Sequence, residues 1–418
     1  MKSNFKKYKY CRFCLSKNII KIIDLGNQPL AGGFLKTRKE FKTENKYPLE
    51  LYFCKKCFLV QTSVVINRDI LFKNYYYSSS NIKTLVDHFY QFGSLLKKQY
   101  SKKKLIVEIG SNDGVFLKIL KKNGFKVLGI DPSENLTKPL IKKGLSVING
   151  YFSTKLAKKI IKNYGQPDII VSSNTLAHIE NMHDVVNGIK LLLKQNGILI
   201  FENHYLINLI KENQYDMVYH EHQYYYSILT LINLFNKHDM EIFNVEKIPT
   251  HAGSIRVYVQ NKVYGKNKIL KSVARFVTLE KKFGVGNLRR YVLFKKQVEK
   301  NKTKLTKLIK RLKEQNKTIA GYGASGRGTI LSNYCDLNNK KLDYVIDDSK
   351  IKQGLFTPGN HLRIISSTIL DDYKSKPDYI VLFAWSFFRE IVNRNINYIK
   401  NGGKFIVPLP KVKIISKI

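Results

Sequence analysis

Apolar and polar positions fall in blocks along this chain, and the blocks predict its elements. The run LIVEI (105–109) is short, apolar and rich in branched residues, as in a buried strand. A GSNDG turn follows, then a helical segment, then a second strand at 126–130 that ends at Asp131. Strand, glycine turn, helix and strand make a βαβ unit. PDIIVSSNTLAHI and GILIFENHY continue the alternation, which predicts a doubly wound α/β sheet. Beyond a charged helical stretch, KTIAGYGASGRGTILSNY, LDYVIDDS, DYIVLFAW and GGKFIVPLP repeat the rhythm and predict a second, Rossmann-like unit.

One segment fits neither period. In YDMVYHEHQYYY (215–226) the polar residues are consecutive, so neither a helix face nor strand alternation selects them. Tyr219, His220, Glu221 and His222 stand side by side, a density of proton-handling groups that singles the run out.

Length and charge narrow the classes. At 418 residues the chain exceeds one comfortable core. Its formal charge of +42 comes from 73 basic and 31 acidic side chains. The lysines are spread over the whole sequence, as on a solvated surface, which argues against a nucleic-acid arm and favours an anionic small-molecule partner. The basic N-terminal segment runs into no apolar stretch, and runs such as YIVLFAW are too short for a bilayer. Cytoplasmic location without membrane insertion is expected, with a monomer or weak homo-oligomer. In that compartment Cys11, Cys14, Cys54 and Cys57, paired as CRFC and CKKC, read as four thiolate ligands of one structural Zn2+.

The two glycine turns differ in chemistry. In GSNDG the glycines admit a ligand close to the backbone, and Asp131 lies where a ribose diol would be bound. Asp113, in the middle of the turn, would repel a pyrophosphate and suits a cofactor with a cationic amino-acid tail, S-adenosylmethionine. Glu108, Gly110, Asn112 and Asn174, the last at a later strand end, complete the expected cofactor set. The second turn carries Gly321, Gly323 and Gly326 as GxGxxG after a strand and before a helix. Read alone it predicts a nicotinamide dehydrogenase, although such amides hold any pyrophosphate, including that of a nucleotide sugar.

Taken together, the paired CxxC with DLGNQPLAGGFL and YPLELYFCKKCFLVQ, EIGSNDG, NTLAHI, YHEH, PTHAGSIRVY, GYGASGRGTILSNY and DDSKIKQGLFTPG resemble the S-adenosylmethionine-dependent nucleotide-sugar C-methyltransferases that act on dTDP-4-keto-deoxysugars. The resemblance covers nearly the whole chain. It implies a zinc-binding domain (1–75), a class I methyltransferase domain (76–265), a helical connector (266–315) and a Rossmann-like domain (316–418) that holds the nucleotide end of the substrate. It further implies that His222 is the general base, that Tyr219 and Glu221 position substrate or base, and that His178 and Tyr76 contribute near the reacting centre. Gly323, Ser325, Gly326 and Arg327 would take the pyrophosphate, and His220 would be structural. His251 and Arg256 are either cavity wall or loop anchors. Departures from the family pattern are Arg327 in place of lysine, Ala252 in place of glycine, and the tyrosine cluster at 75–77. O- or N-methylation of a related small molecule, an RNA-binding protein or RNA methyltransferase, and a dehydrogenase remain alternatives.

Overall fold

The strand Leu105–Ile109 is the centre from which the middle of the molecule is built. In the computed structural model, which describes residues 4–101 and 103–417, it pairs in parallel with Lys126–Asp131 on one side and Ile169–Ser173 on the other. Ile198–His204 and Val147–Asn149 extend the sheet in parallel, and Ser254–Asn261 with Met240–Ile248 close one edge as an antiparallel pair. The result is a seven-stranded, mostly parallel α/β sheet, as the apolar blocks predict. Helix Lys83–Gln99 buries Leu85, Phe89, Phe92 and Leu96 at helical spacing against one face. Each such side chain contributes about 1.5–3 kcal/mol by leaving water.

A four-stranded sheet precedes it. Ile19–Pro29, Lys46–Cys54 and Val60–Thr62 are antiparallel neighbours, and the fourth strand, Tyr224–Tyr225, comes from the polar run far downstream. The C-terminal sheet has six strands, five parallel and one antiparallel, with Ile319–Tyr322 in its interior and helix Gly326–Tyr334 starting from the glycine turn.

Two helices join the middle and C-terminal sheets. Lys271–Phe283 stops at Gly284, whose φ of +86° closes the helix in the left-handed region that glycine tolerates. Leu288–Glu314 starts under an Asn287 cap and buries Tyr291, Phe294, Val298, Leu305 and Ile309. Tyr291 stacks on Phe53 at 4.5 Å, so this helix also braces the N-terminal sheet. Among the described residues no helix is long and apolar enough to cross a membrane.

Candidate active site

The four cysteines of the two knuckles meet. Their sulfurs all lie within 4.8 Å of one another, with Cys11 and Cys57 at 3.4 Å and Cys14 and Cys54 at 3.5 Å. Each knuckle ends in a left-handed residue, Leu15 after the first and Phe58 after the second, whose amides return to the carbonyls of Cys11 and Cys54. Four thiolates at Zn–S distances would stand about 3.8 Å apart, so the cluster fits a zinc ion with little movement. No ligand position is left for water, which makes the ion structural.

A cavity of about 1270 Å³ opens between the seven-stranded sheet, the C-terminal glycine turn and a small two-stranded sheet formed by Phe5–Lys7 and Val64–Ile66. Its lining includes Glu108, Gly110, Asn112, Asp131, Asn174, His178, Tyr219, His222, Ser325, Gly326 and Arg327. The structure thus brings the expected cofactor residues, most of the expected catalytic residues and much of the second glycine turn to one space.

At the cofactor end, Gly110 has a φ of +81°, and a Cβ there would lie 1.9 Å from the Thr175 hydroxyl. Asp131 is fixed by two backbone amides, Ser133 N–H to Oδ1 and Asn112 N–H to Oδ2, both at 2.9 Å. Glu108 has a buried Oε2 with no hydrogen-bond partner among the described residues. Burial, with Asp131 and Asp113 nearby, holds its carboxyl well above the usual carboxylate range. An orphaned acidic group in a cleft fits a ligand that brings positive charge, and S-adenosylmethionine brings it on both sulfonium and ammonium. Asn174 sits at a φ of 54° just past the strand Ile169–Ser173, its Oδ1 buried and unpartnered.

Three expectations are corrected here. Asp113 does not face the cavity: its Oδ2 accepts from the Ser78 hydroxyl and the Ser80 amide, so it clamps the 78–80 loop. Asn112 does the same with its side chain, accepting from Ser79 N–H and donating to the Tyr77 carbonyl. Of the tyrosine cluster, Tyr75 and Tyr77 line the cavity and Tyr76, 45% exposed, does not. A loop has no fixed period, so the sequence could not tell these three apart.

The polar run explains itself residue by residue. Tyr215 donates to Asn301 of the long helix. Asp216 is fully buried and accepts Nε and Nη2 of Arg327, at 2.9 and 3.2 Å, and the Trp385 indole N–H at 2.7 Å. His220 contacts the Pro48 carbonyl at 3.3 Å and packs edge-on to Tyr47. Gln223 accepts from Arg12 at 2.6 Å, and Tyr224 and Tyr225 complete the N-terminal sheet. Each residue faces a different neighbour, and that need sets the composition. Arg327, expected to take the pyrophosphate, is held by a carboxylate and lies over the Trp385 ring at 4.6 Å. Gly323 is absent from the cavity wall; a Cβ there would meet Ala384 at 2.8 Å, so it serves close packing.

Four imidazoles gather around the cavity. His222 is 3.9 Å from Tyr219, 5.0 Å from His178 and 4.7 Å from His204, ring centre to ring centre, and His204 is 5.3 Å from His251. His178 lies flat against Phe72. Nδ1 of His222 is 2.9 Å from the Met217 carbonyl, so it carries the proton of the neutral ring. Burial pulls His178 and His251 down to about 4 and His204 and His222 well below the ordinary histidine value. All four are neutral at pH 7. Glu221 lies behind the wall, its carboxyl pushed up to about 7 by burial, and His251 lines the cavity whereas Arg256 is paired with Glu202 beneath it. His204 was missed by the sequence reading. Its signal was available, because it is the last residue of an apolar strand at the carboxyl edge of the sheet, where ligands bind.

Comparison with known proteins agrees with the geometry. Three family models match in order: "Putative zinc binding domain" over 11–72, "Methyltransferase domain" over 81–245 and "C-methyltransferase C-terminal domain" over 249–410. The C-methyltransferase NovU of Streptomyces niveus is 30% identical over 408 residues, which is 97% of this chain and 96% of that protein. Solved structures that match in part include the PH0226 protein of Pyrococcus horikoshii OT3, 17% identical over 44% of this chain and 95% of that one with a TM-score of 0.36. Magnesium protoporphyrin IX methyltransferase of Synechocystis PCC 6803 with bound SAH is 14% identical over 42% of this chain and 82% of that one, with a TM-score of 0.33. The second glycine turn falls inside the C-methyltransferase C-terminal model, which sets aside the dehydrogenase reading, and the full-length match sets aside the O-, N- and RNA-methylation readings. From the zinc knuckles through the cofactor cleft to that C-terminal turn, the chain belongs to the family of S-adenosylmethionine-dependent C-methyltransferases.

Proposed function

We propose that the substrate is a nucleotide-linked 4-keto-deoxysugar and that His222 removes the proton beside its ketone. The observation that carries this reading is the bond from His222 Nδ1 to the Met217 carbonyl, which leaves Nε2 as a lone pair at the cavity. Methylating carbon needs a carbanion equivalent, and a ketone supplies one by stabilising an enolate at its neighbour. Glu108 and Asp131 would hold S-adenosylmethionine, which would supply the electrophilic methyl group and become a neutral thioether.

The rest is done by this chain's residues. Nε2 of His222 takes the proton, and the C–H electron pair passes into the enolate. Tyr219, whose hydroxyl burial keeps protonated, meets the developing oxygen charge. His178 flanks His222, and Glu221 braces the turn from behind. Enolate carbon then bonds to the methyl group, and the proton on His222 returns to solvent.

The nucleotide end would lie at helix Gly326–Tyr334. Ser325 caps it by accepting from Gly328 N–H, which leaves the Gly326 and Arg327 amides for a pyrophosphate. Arg327 acts as a positioned donor, since Asp216 already balances its charge.

The test is incubation with labelled S-adenosylmethionine and a panel of nucleotide 4-keto-deoxysugars, reading mass gain and methyl position. Without methyl donor, the carbon beside the ketone should exchange its proton for solvent deuterium. Methyl transfer to oxygen or nitrogen, or no transfer to any ketosugar, would reject the reading.

A further inference from the structure

We infer that His204 is a second hydrogen-bond donor to the substrate's carbonyl oxygen, working opposite His222 at the same pair of reacting atoms. This rests on the ketosugar reading above and adds a residue to it.

The case begins with what each ring can still offer. A neutral imidazole has one N–H and one lone pair. His222 has committed its N–H to the Met217 carbonyl, so at the cavity it can only accept. His204 has no hydrogen-bond partner on either nitrogen among the described residues, and its Nε2 is buried. Its N–H is therefore uncommitted among those residues, on a ring that lines the cavity. The two rings stand 4.7 Å apart and both line the cavity. An acceptor beside a donor matches a carbon acid and its carbonyl, whose acidic carbon and oxygen are two bonds apart.

Position separates His204 from His178, the other open ring next to His222. His178 lies flat against Phe72, whereas His204 stands between His222 at 4.7 Å and His251 at 5.3 Å, both of which line the cavity. It also ends a strand whose body is paired on both sides, and His204 itself pairs with Ser254. A donor fixed before the reaction stabilises a new oxyanion without reorganising. Burial keeps the ring neutral, and a neutral N–H gives the oxyanion a hydrogen bond without competing for the proton.

The experiment uses the full chain with a nucleotide 4-keto-deoxysugar and no methyl donor, and follows deuterium uptake beside the ketone. His204→Phe should exchange about 100-fold more slowly than wild type, with sugar and S-adenosylmethionine affinities near their original values. His204→Gln, which keeps an N–H, should recover part of the rate. If the Phe variant does not fold, His204→Ala gives the same answer: slow exchange, restored by added imidazole. Exchange within threefold of wild type in His204→Phe or His204→Ala overturns the role of His204 and leaves the ketosugar reading standing. A wild-type enzyme that exchanges none of the ketosugars overturns both.

Discussion

Arg327 and Asp216 form a two-point pair, with Nε and Nη2 of the guanidinium each on one carboxylate oxygen, and the Trp385 indole donates to the same carboxylate. The pair joins the C-terminal glycine turn to the polar run that carries His222. Geometry at the nucleotide end is thereby tied to geometry at the reacting carbon.

Asp216→Asn should break that tie. A buried guanidinium that loses its counter-charge costs about 3–5 kcal/mol. Thermal unfolding should shift down, and KM for the nucleotide sugar should rise at least tenfold while S-adenosylmethionine affinity, measured by calorimetry, stays near wild type. Equal losses for both ligands would refute a specific link to the substrate end.

His222→Asn should keep the affinity for S-adenosylmethionine but lose turnover by about a hundred- to ten-thousand-fold, the usual cost of removing a positioned base. His220→Asn, whose ring contacts the Pro48 carbonyl away from the cavity wall, should keep most of the activity. Deuterium exchange in the two variants, compared directly, checks the assignment. Normal exchange in both would move the base elsewhere, with His178 next.

Asp131→Asn preserves shape and removes charge. Each carboxylate oxygen accepts a backbone N–H and the Asn amide can keep only one of those bonds, so thermal unfolding should shift down modestly while the chain still folds. Affinity for S-adenosylmethionine should fall by about 10- to 100-fold, the loss of one to two charged hydrogen bonds. Unchanged affinity by calorimetry would remove Asp131 from the cofactor site.

The buried histidines should oppose folding in mild acid. His178, His220 and His251 are each lowered from 6.5 to about 4 by burial. Above pH 6.5 both the folded and unfolded chains hold these rings neutral. Between 6.5 and 4 the unfolded chain takes up protons that the folded one resists, so these rings lower stability as pH falls through that window. Glu221 and Glu280, raised to about 7 by burial, act in the opposite direction over the same window, so the histidine part is read by difference. The denaturant midpoint of His220→Phe should fall less than that of wild type between pH 7.5 and 4.5, and an equal fall would contradict the burial of that ring.

Much of this was legible where chemistry is local. A CxxC pair, a glycine turn after an apolar strand and an acid at the next strand's end each fit within about 20 residues, and all three lie where the sequence put them. What was not legible depends on partners far along the chain. Asp216 meets Arg327 across 111 positions, and nothing near either residue announces the other. The counter-charge on Arg327 is not visible in the sequence for that reason. Tyr76 was preferred over Tyr75 and Tyr77 within a loop, where side-chain direction has no periodic rule. His204 was readable from strand position, yet its isolation from other histidines in sequence hid it.

The fourth strand of the N-terminal sheet is only Tyr224–Tyr225, drawn from the run that also supplies His222. As the chain leaves the ribosome, the zinc knuckles are complete long before that strand exists. The metal centre can load early, but the sheet beside it keeps an open edge until the methyltransferase segment has been synthesised. Acquisition of a finished N-terminal sheet and assembly of the catalytic turn are therefore one folding event, and a truncation before residue 224 would expose a pairing edge to other nascent chains.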